Sequence, residues 1–127
     1  MSELEREMKE HLENHFKVKL SYTDTYDIFD YISECKTIYI ELKGRKTAYN
    51  RYPTTMIGYN KILECEKNKN ITYYFVFKFS DGLYYCKYSK KLLKKCEISI
   101  GGRCDRGRPE YKKYVFIPIN LLKNIKI

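Results

Sequence analysis

Three side chains in this sequence are spaced for phosphate chemistry: Asp30, Glu41 and Lys43, at the ends of the stretch Asp-Tyr-Ile-Ser-Glu-Cys-Lys-Thr-Ile-Tyr-Ile-Glu-Leu-Lys. Residues two apart on a strand share a face, so a strand over Thr37 to Lys43 projects Glu41 and Lys43 together and turns Leu42 into the core. Two carboxylates, from Asp30 and Glu41, can hold a hard cation such as Mg²⁺. A lysine at the same spot can orient or deprotonate a water and stabilise a pentavalent phosphate. A cross-strand ion-pair network would use the same three residues. Asp27 is the nearest rival to Asp30, but an offset of three puts the two on opposite faces of a strand, and Asp30 immediately precedes the connection to Glu41.

The elements that must position these residues follow from periodicity and turn chemistry. Leu4, Met8, Leu12 and Phe16 recur every four residues and predict an amphipathic helix from about Ser2 to Phe16. Ser2 is its N-cap, and Glu3 and Glu5 sit in the first turn, where negative charge favours the helix dipole. Val18 to Tyr22 and Tyr26 to Ile32 predict two strands around the turn-forming Thr23-Asp24-Thr25. Thr37 to Lys43 is the third strand, ended by Gly44-Arg45-Lys46. A polar, basic loop with Tyr49, Asn50, Arg51 and Tyr52 follows, and Pro53 opens a helix through about Glu66 with Met56, Ile57, Tyr59, Ile62 and Leu63 on its apolar face. Ile71 to Phe79 and Leu83 to Tyr88, around Ser80-Asp81-Gly82, predict a hairpin. Ser89 to Lys95 is a short basic turn, Glu97 to Ile100 and Lys113 to Pro118 are strands joined by a loop, and Ile119 to Ile127 is a terminal helical turn. The order gives an α/β domain with a mixed sheet.

Helix, hairpin, strand with Glu-x-Lys and then helix, with an Asp before the motif strand, resembles the PD-(D/E)XK nuclease superfamily. Asp30 stands for the Asp and Glu41-Leu42-Lys43 for the (D/E)XK element, while Phe29 replaces the Pro. The resemblance covers roughly Glu3 to Tyr88. Within it, Glu-Arg-Glu-Met-Lys-Glu-His-Leu is similar to the first helix of the small archaeal Holliday-junction resolvases, which makes Glu5 the helix carboxylate ahead of Glu3, Glu7, Glu10 and Glu13. The resemblance implies a restriction-endonuclease-like core, a central mixed β-sheet flanked by helices. It implies Mg²⁺, with Mn²⁺ as a substitute, held by Asp30, Glu41, the Leu42 carbonyl and Glu5. Lys43 would position the attacking water, and cleavage would leave a 5′-phosphate. The helix after the motif often supplies an auxiliary residue, for which Asn60 and Lys61 are the polar candidates.

Composition agrees with a nucleic-acid substrate. A length of 127 residues suits one domain over residues 1–127, and a net charge of +9 favours a polyanionic partner. Lys, Asn, Ile and Tyr have A/T-rich codons, so part of that charge can reflect coding bias of the kind a large DNA virus or an A/T-rich microbe carries. Arg45, Lys46, Arg51 and Lys61 are expected to contact the phosphate backbone. So are Arg103, Arg106 and Arg108, half of the chain's arginines, set among glycines in one segment. Pairing of Arg106 with Asp105 or Glu110 is the plain alternative there. Most of the 14 tyrosines fit strand propensity, with a few exposed rings available for stacking.

Five cysteines without a CxxC pair, and no secretory signal, suggest reduced thiols in an intracellular compartment rather than disulfides or structural zinc. No apolar run reaches membrane-spanning length. The sequence therefore predicts a Mg²⁺-dependent endonuclease acting on DNA, with RNA left open, structure-selective in the manner of a resolvase and working as a homodimer. A non-catalytic nucleic-acid-binding domain that has kept the nuclease fold is the competing expectation.

Overall fold

The four-residue apolar repeat folds as helix α1, Glu3–Phe16, and Ser2 Oγ accepts the Glu5 N–H at 3.1 Å as its cap. The helix ends where Lys17 turns into the left-handed region at φ 57°. A computed structural model describes the chain over residues 1–103 and 110–127, with side chains outside 101–111. The strands are β1 (Leu20–Tyr22), β2 (Tyr31–Ser33), β3 (Ile38–Gly44), β4 (Thr54–Gly58), β5 (Thr72–Phe79), β6 (Gly82–Lys87), β7 (Glu97–Arg103), β8 (Glu110–Pro118) and β9 (Lys123–Ile125). Helix α2 spans Tyr59–Lys67, and α3 is the short Lys90–Lys94.

The main sheet has the order β1-β2-β3-β5-β6-β9, and its neighbours run antiparallel except for the parallel pair β3 and β5. Helix α1 covers one face, burying Met8 and Leu12 against Leu20, Tyr31, Ile40, Leu42, Val76, Leu83 and Ile125. The other face packs Tyr73, Phe75, Phe77 and Phe79 under α2 and under a second antiparallel sheet of order β4-β8-β7, which contributes Ile57, Val115 and Ile117. The alternation of β3 between these two cores fixes the site. Ile40 and Leu42 face α1, so Glu41 is sent to the α2 side, where it is buried.

Three expected elements differ. Residues 24–30 form a turn, and β2 begins only at Tyr31. Asp27 N–H donates to the Asp24 carbonyl at 3.0 Å, and Asp27 Oδ1 accepts the Phe29 N–H at 3.1 Å, local bonds that compete with a ladder. The expected helix from Pro53 starts at Tyr59, because Thr54, Thr55 and Ile57 are β-branched and pair with β8, from Thr54 with Pro118 to Gly58 with Tyr114. The expected terminal helical turn is a single 3₁₀ turn, Ile119–Leu121, followed by β9, which joins the main sheet beside β6 and buries Ile125.

Arg45, expected among the phosphate contacts, is engaged within the fold. Its Nε donates to Thr55 Oγ1 at 3.1 Å, Nη2 to the Met56 carbonyl at 2.6 Å and Nη1 to the Gly44 carbonyl at 3.2 Å. The guanidinium lies 5.5 Å from the centre of the Phe77 ring, and burial lowers its pKa. It therefore ties the end of β3 to β4 across the two sheets. Replacing Arg45 by Ala leaves the Met56 carbonyl without this donor and should lower unfolding free energy by about 1–3 kcal/mol, measured by urea denaturation. A loss below about 0.5 kcal/mol would mean that the guanidinium is not a brace.

Candidate active site

Strand β2 leaves β3 at Asp30, and the candidate site lies where it leaves. Tyr31 pairs with Ile40, and Asp30 N–H still reaches the same Ile40 carbonyl at 3.0 Å. One step further the ladder has no β2 carbonyl to offer, and Asp30 Oδ2 accepts the Leu42 N–H at 2.7 Å in its place. On the other edge of β3, Thr37 O accepts from Thr72 N–H and Arg45 N–H donates to Lys78 O. The odd-numbered residues of β3 thus turn their peptide groups to β5 and the even-numbered ones to β2. The Leu42 carbonyl accordingly points to the side that β2 has vacated.

Glu41, 3% exposed, stands next to this gap with two lysines on it. Lys43 Nζ is 3.5 Å from Oε1 and Lys61 Nζ is 3.0 Å from Oε2, with side-chain exposures of 40% and 14%. Lys61, from α2, also donates to the Ile28 carbonyl and lies 5.8 Å from the centre of the Phe29 ring. Its approach to Oε2 is off the line that a hydrogen bond requires, and that oxygen is buried with no hydrogen-bond partner among the described residues. The Lys61 ammonium, 3.0 Å away, balances the charge on this oxygen and leaves it able to accept a further cation.

Asp30 carries the same message. Burial first, then the Glu41 charge and, more weakly, the Glu5 charge push its carboxyl from 3.8 up to about 7, against the Leu42 N–H and Lys61, which pull it down. Glu5 is near because the Tyr31 hydroxyl donates to the Glu5 main-chain carbonyl and so fixes the first turn of α1 over β2. Among the described residues no three Asp, Glu, His or Cys side chains gather closely enough to hold a metal by themselves, and Glu5 acts on Asp30 through its charge. Two carboxylates and the Leu42 carbonyl, completed by water and substrate phosphate, fit the way Mg²⁺ is commonly bound.

The other expected residues are placed less uniformly. Lys61 turns inward to Glu41 rather than standing on the surface. Lys46 and Arg51 are exposed, and the Arg51 guanidinium lies 5.2 Å over the Tyr52 ring. Arg103 ends β7 opposite Glu110, but its side chain, like Arg106 and Arg108, lies outside the described residues. The sequence assigns no role to Tyr31 and meets Phe29 only as the residue in place of the Pro. Tyr31 alternates with Ile32 on β2, which signals that the ring is inward but not what its hydroxyl holds.

A family model described as "Phage putative PDDEXK endonuclease" matches residues 2–125, nearly the whole chain. The chain belongs to this family, and with it to the PD-(D/E)XK nuclease superfamily, and its mixed sheet flanked by helices is a restriction-endonuclease-like core. No curated protein matches it.

The raised Asp30 pKa has a definite consequence for the metal-free protein. Between about pH 4 and pH 7 the folded chain holds a proton that the unfolded chain has released, so this contribution to stability falls as pH rises through that window. Asp30→Asn removes it. The variant should melt higher than the parent by about 3 °C or more at pH 8 and show no such gain at pH 4, and Mg²⁺ should raise the melting temperature of the parent only. Parallel pH profiles for the two proteins would contradict the assignment.

Proposed function

We propose that this protein is a divalent-cation-dependent endonuclease that hydrolyses phosphodiester bonds in DNA, and that Asp30, Glu41, the Leu42 carbonyl and Lys43 carry the reaction. One observation supports this most: at the point where β2 departs, a carboxylate replaces a main-chain carbonyl beside a buried glutamate held by two lysines. A divalent cation bound there, Mg²⁺ or Mn²⁺, would supply Lewis-acid stabilisation and a more acidic water.

The chain's own side chains divide the remaining work. Lys43 reaches from Glu41 towards solvent, the direction from which a phosphate arrives, and its Nζ can orient the attacking water and offset the charge that builds on the pentavalent phosphorus. Lys61, nearly buried, holds the Glu41 carboxylate in place. As the P–O bond to the 3′ oxygen breaks, the water oxygen stays on phosphorus, giving a 5′-phosphate and a 3′-hydroxyl. Lys46 and Arg51, with Arg103, Arg106 and Arg108, supply backbone contacts that draw the polyanion without reading its sequence.

We further propose that the protein acts as one domain and as a homodimer, since each chain offers one such site and a duplex has two strands, and that branched DNA is its preferred substrate. Among the described residues no helix is long and apolar enough to cross a membrane. A cleavage assay with Mg²⁺ or Mn²⁺ over duplex, single-stranded, branched and RNA substrates tests the activity. Lys43→Ala should slow cleavage by about 10²-fold or more, and Asp30→Asn should abolish it while DNA binding is kept. Binding by the parent protein without cleavage of any substrate would make it a binding domain instead.

A further inference from the structure

A second feature lies one strand repeat beyond Lys43. Arg45 follows Lys43 on the same side of β3, roughly 7 Å along the chain, and forms part of the wall of a cavity of about 500 Å³ at the carboxyl ends of the parallel strands β3 and β5. The cavity opens between residues 45–49 and β4, and its apolar lining includes Tyr49, Tyr52, Met56, Phe79 and Phe116. Its volume lies within the range of small-ligand pockets, and among the described residues no Asp or Glu lines it.

One wall is rigid. The Tyr49 ring stacks on Tyr84 with centres 4.0 Å apart and planes 7° from parallel, and its hydroxyl donates to the Ile119 carbonyl at 2.7 Å. The other wall is left uncovered by folding, with Tyr52 56% and Met56 42% exposed. Lys46 lies on the lining and Arg51 stacks on Tyr52, so an apolar slot is bordered by positive charge. An aromatic and thioether surface beside cations complements a flat ring joined to a phosphate.

We propose that this cavity receives an unpaired nucleobase of the substrate, stacked on Tyr52, while the backbone continues past Lys43 to the site. Bases within a duplex are stacked and cannot enter, so the ligand is a nucleotide in a single-stranded flap, gap or branch. The pocket would thus be the element that favours branched over plain duplex DNA. The inference rests on the nuclease proposal for the direction of the strand, but its test needs no cleavage.

The intact protein is titrated in EDTA, with anisotropy as the readout, against a labelled duplex, the same duplex with a single-stranded flap, and a flap whose unpaired positions are abasic. Loss of one stacked base should weaken binding by about tenfold. The parent should therefore bind the flap about tenfold more tightly than its abasic counterpart, and Tyr52→Ala should lose that margin without changing duplex affinity. Tyr52→Phe should restore it. Equal affinity for the abasic flap, or a Tyr52→Ala defect that is absent or falls on duplex and flap alike, overturns the proposal. If selective flap binding survives but no metal permits cleavage, the nuclease proposal fails and the base pocket stands.

Discussion

The hydrogen bond from Leu42 N–H to the Asp30 carboxylate is the interaction on which the candidate site depends. A β2 that stayed paired would present a neutral carbonyl at that position and would cover the Leu42 carbonyl as well. Ending the strand there inserts a negative charge into a ladder position and leaves a second oxygen facing the gap. The parallel pairing of β3 with β5 makes this possible, since it fixes which residues of β3 turn their peptide groups to β2. Glu41 is then placed by the same alternation, on the face opposite Leu42. Register, charge and open edge are consequences of one strand ending at one residue.

Such an arrangement is costly to the folded protein, and the surroundings show how the cost is limited. Burial removes water that would screen the Asp30 carboxylate, and Glu41 is close enough to disfavour its ionisation further. Lys61 and Lys43 offset part of this from the α2 side and the solvent side. The offset is incomplete for Asp30, whose carboxyl stays raised to about 7. Incomplete neutralisation is the condition in which a site gains most from a cation.

The motif was legible because Glu41, Leu42 and Lys43 follow strict alternation in a strand whose neighbours are apolar, and α1 because its repeat is regular and capped. Asp30 was read as the end of a strand. The structure makes it the end of a turn, and the local bonds of Asp27 are the reason. The first part of the expected helix at Pro53 failed because Met56, Ile57, Tyr59, Ile62 and Leu63 satisfy a helical period, while the partner that makes β4 a strand is β8, far along the chain. β9 was missed for the same reason: its pairing with β6 is non-local. Charge alone likewise could not separate Arg45, held on three acceptors, from Arg51, which lies on the surface.

The account is tested most directly by diffraction from crystals equilibrated with Mn²⁺, whose anomalous signal locates the ion independently of the protein atoms. The expected result is a peak bonded to carboxylate oxygens of both Asp30 and Glu41 and to the Leu42 carbonyl, with Lys61 Nζ farther from Glu41 Oε2 than 3.0 Å. A saturating Mn²⁺ concentration that leaves the Glu41–Lys61 pair unchanged and yields no peak between Asp30 and Glu41 would contradict it.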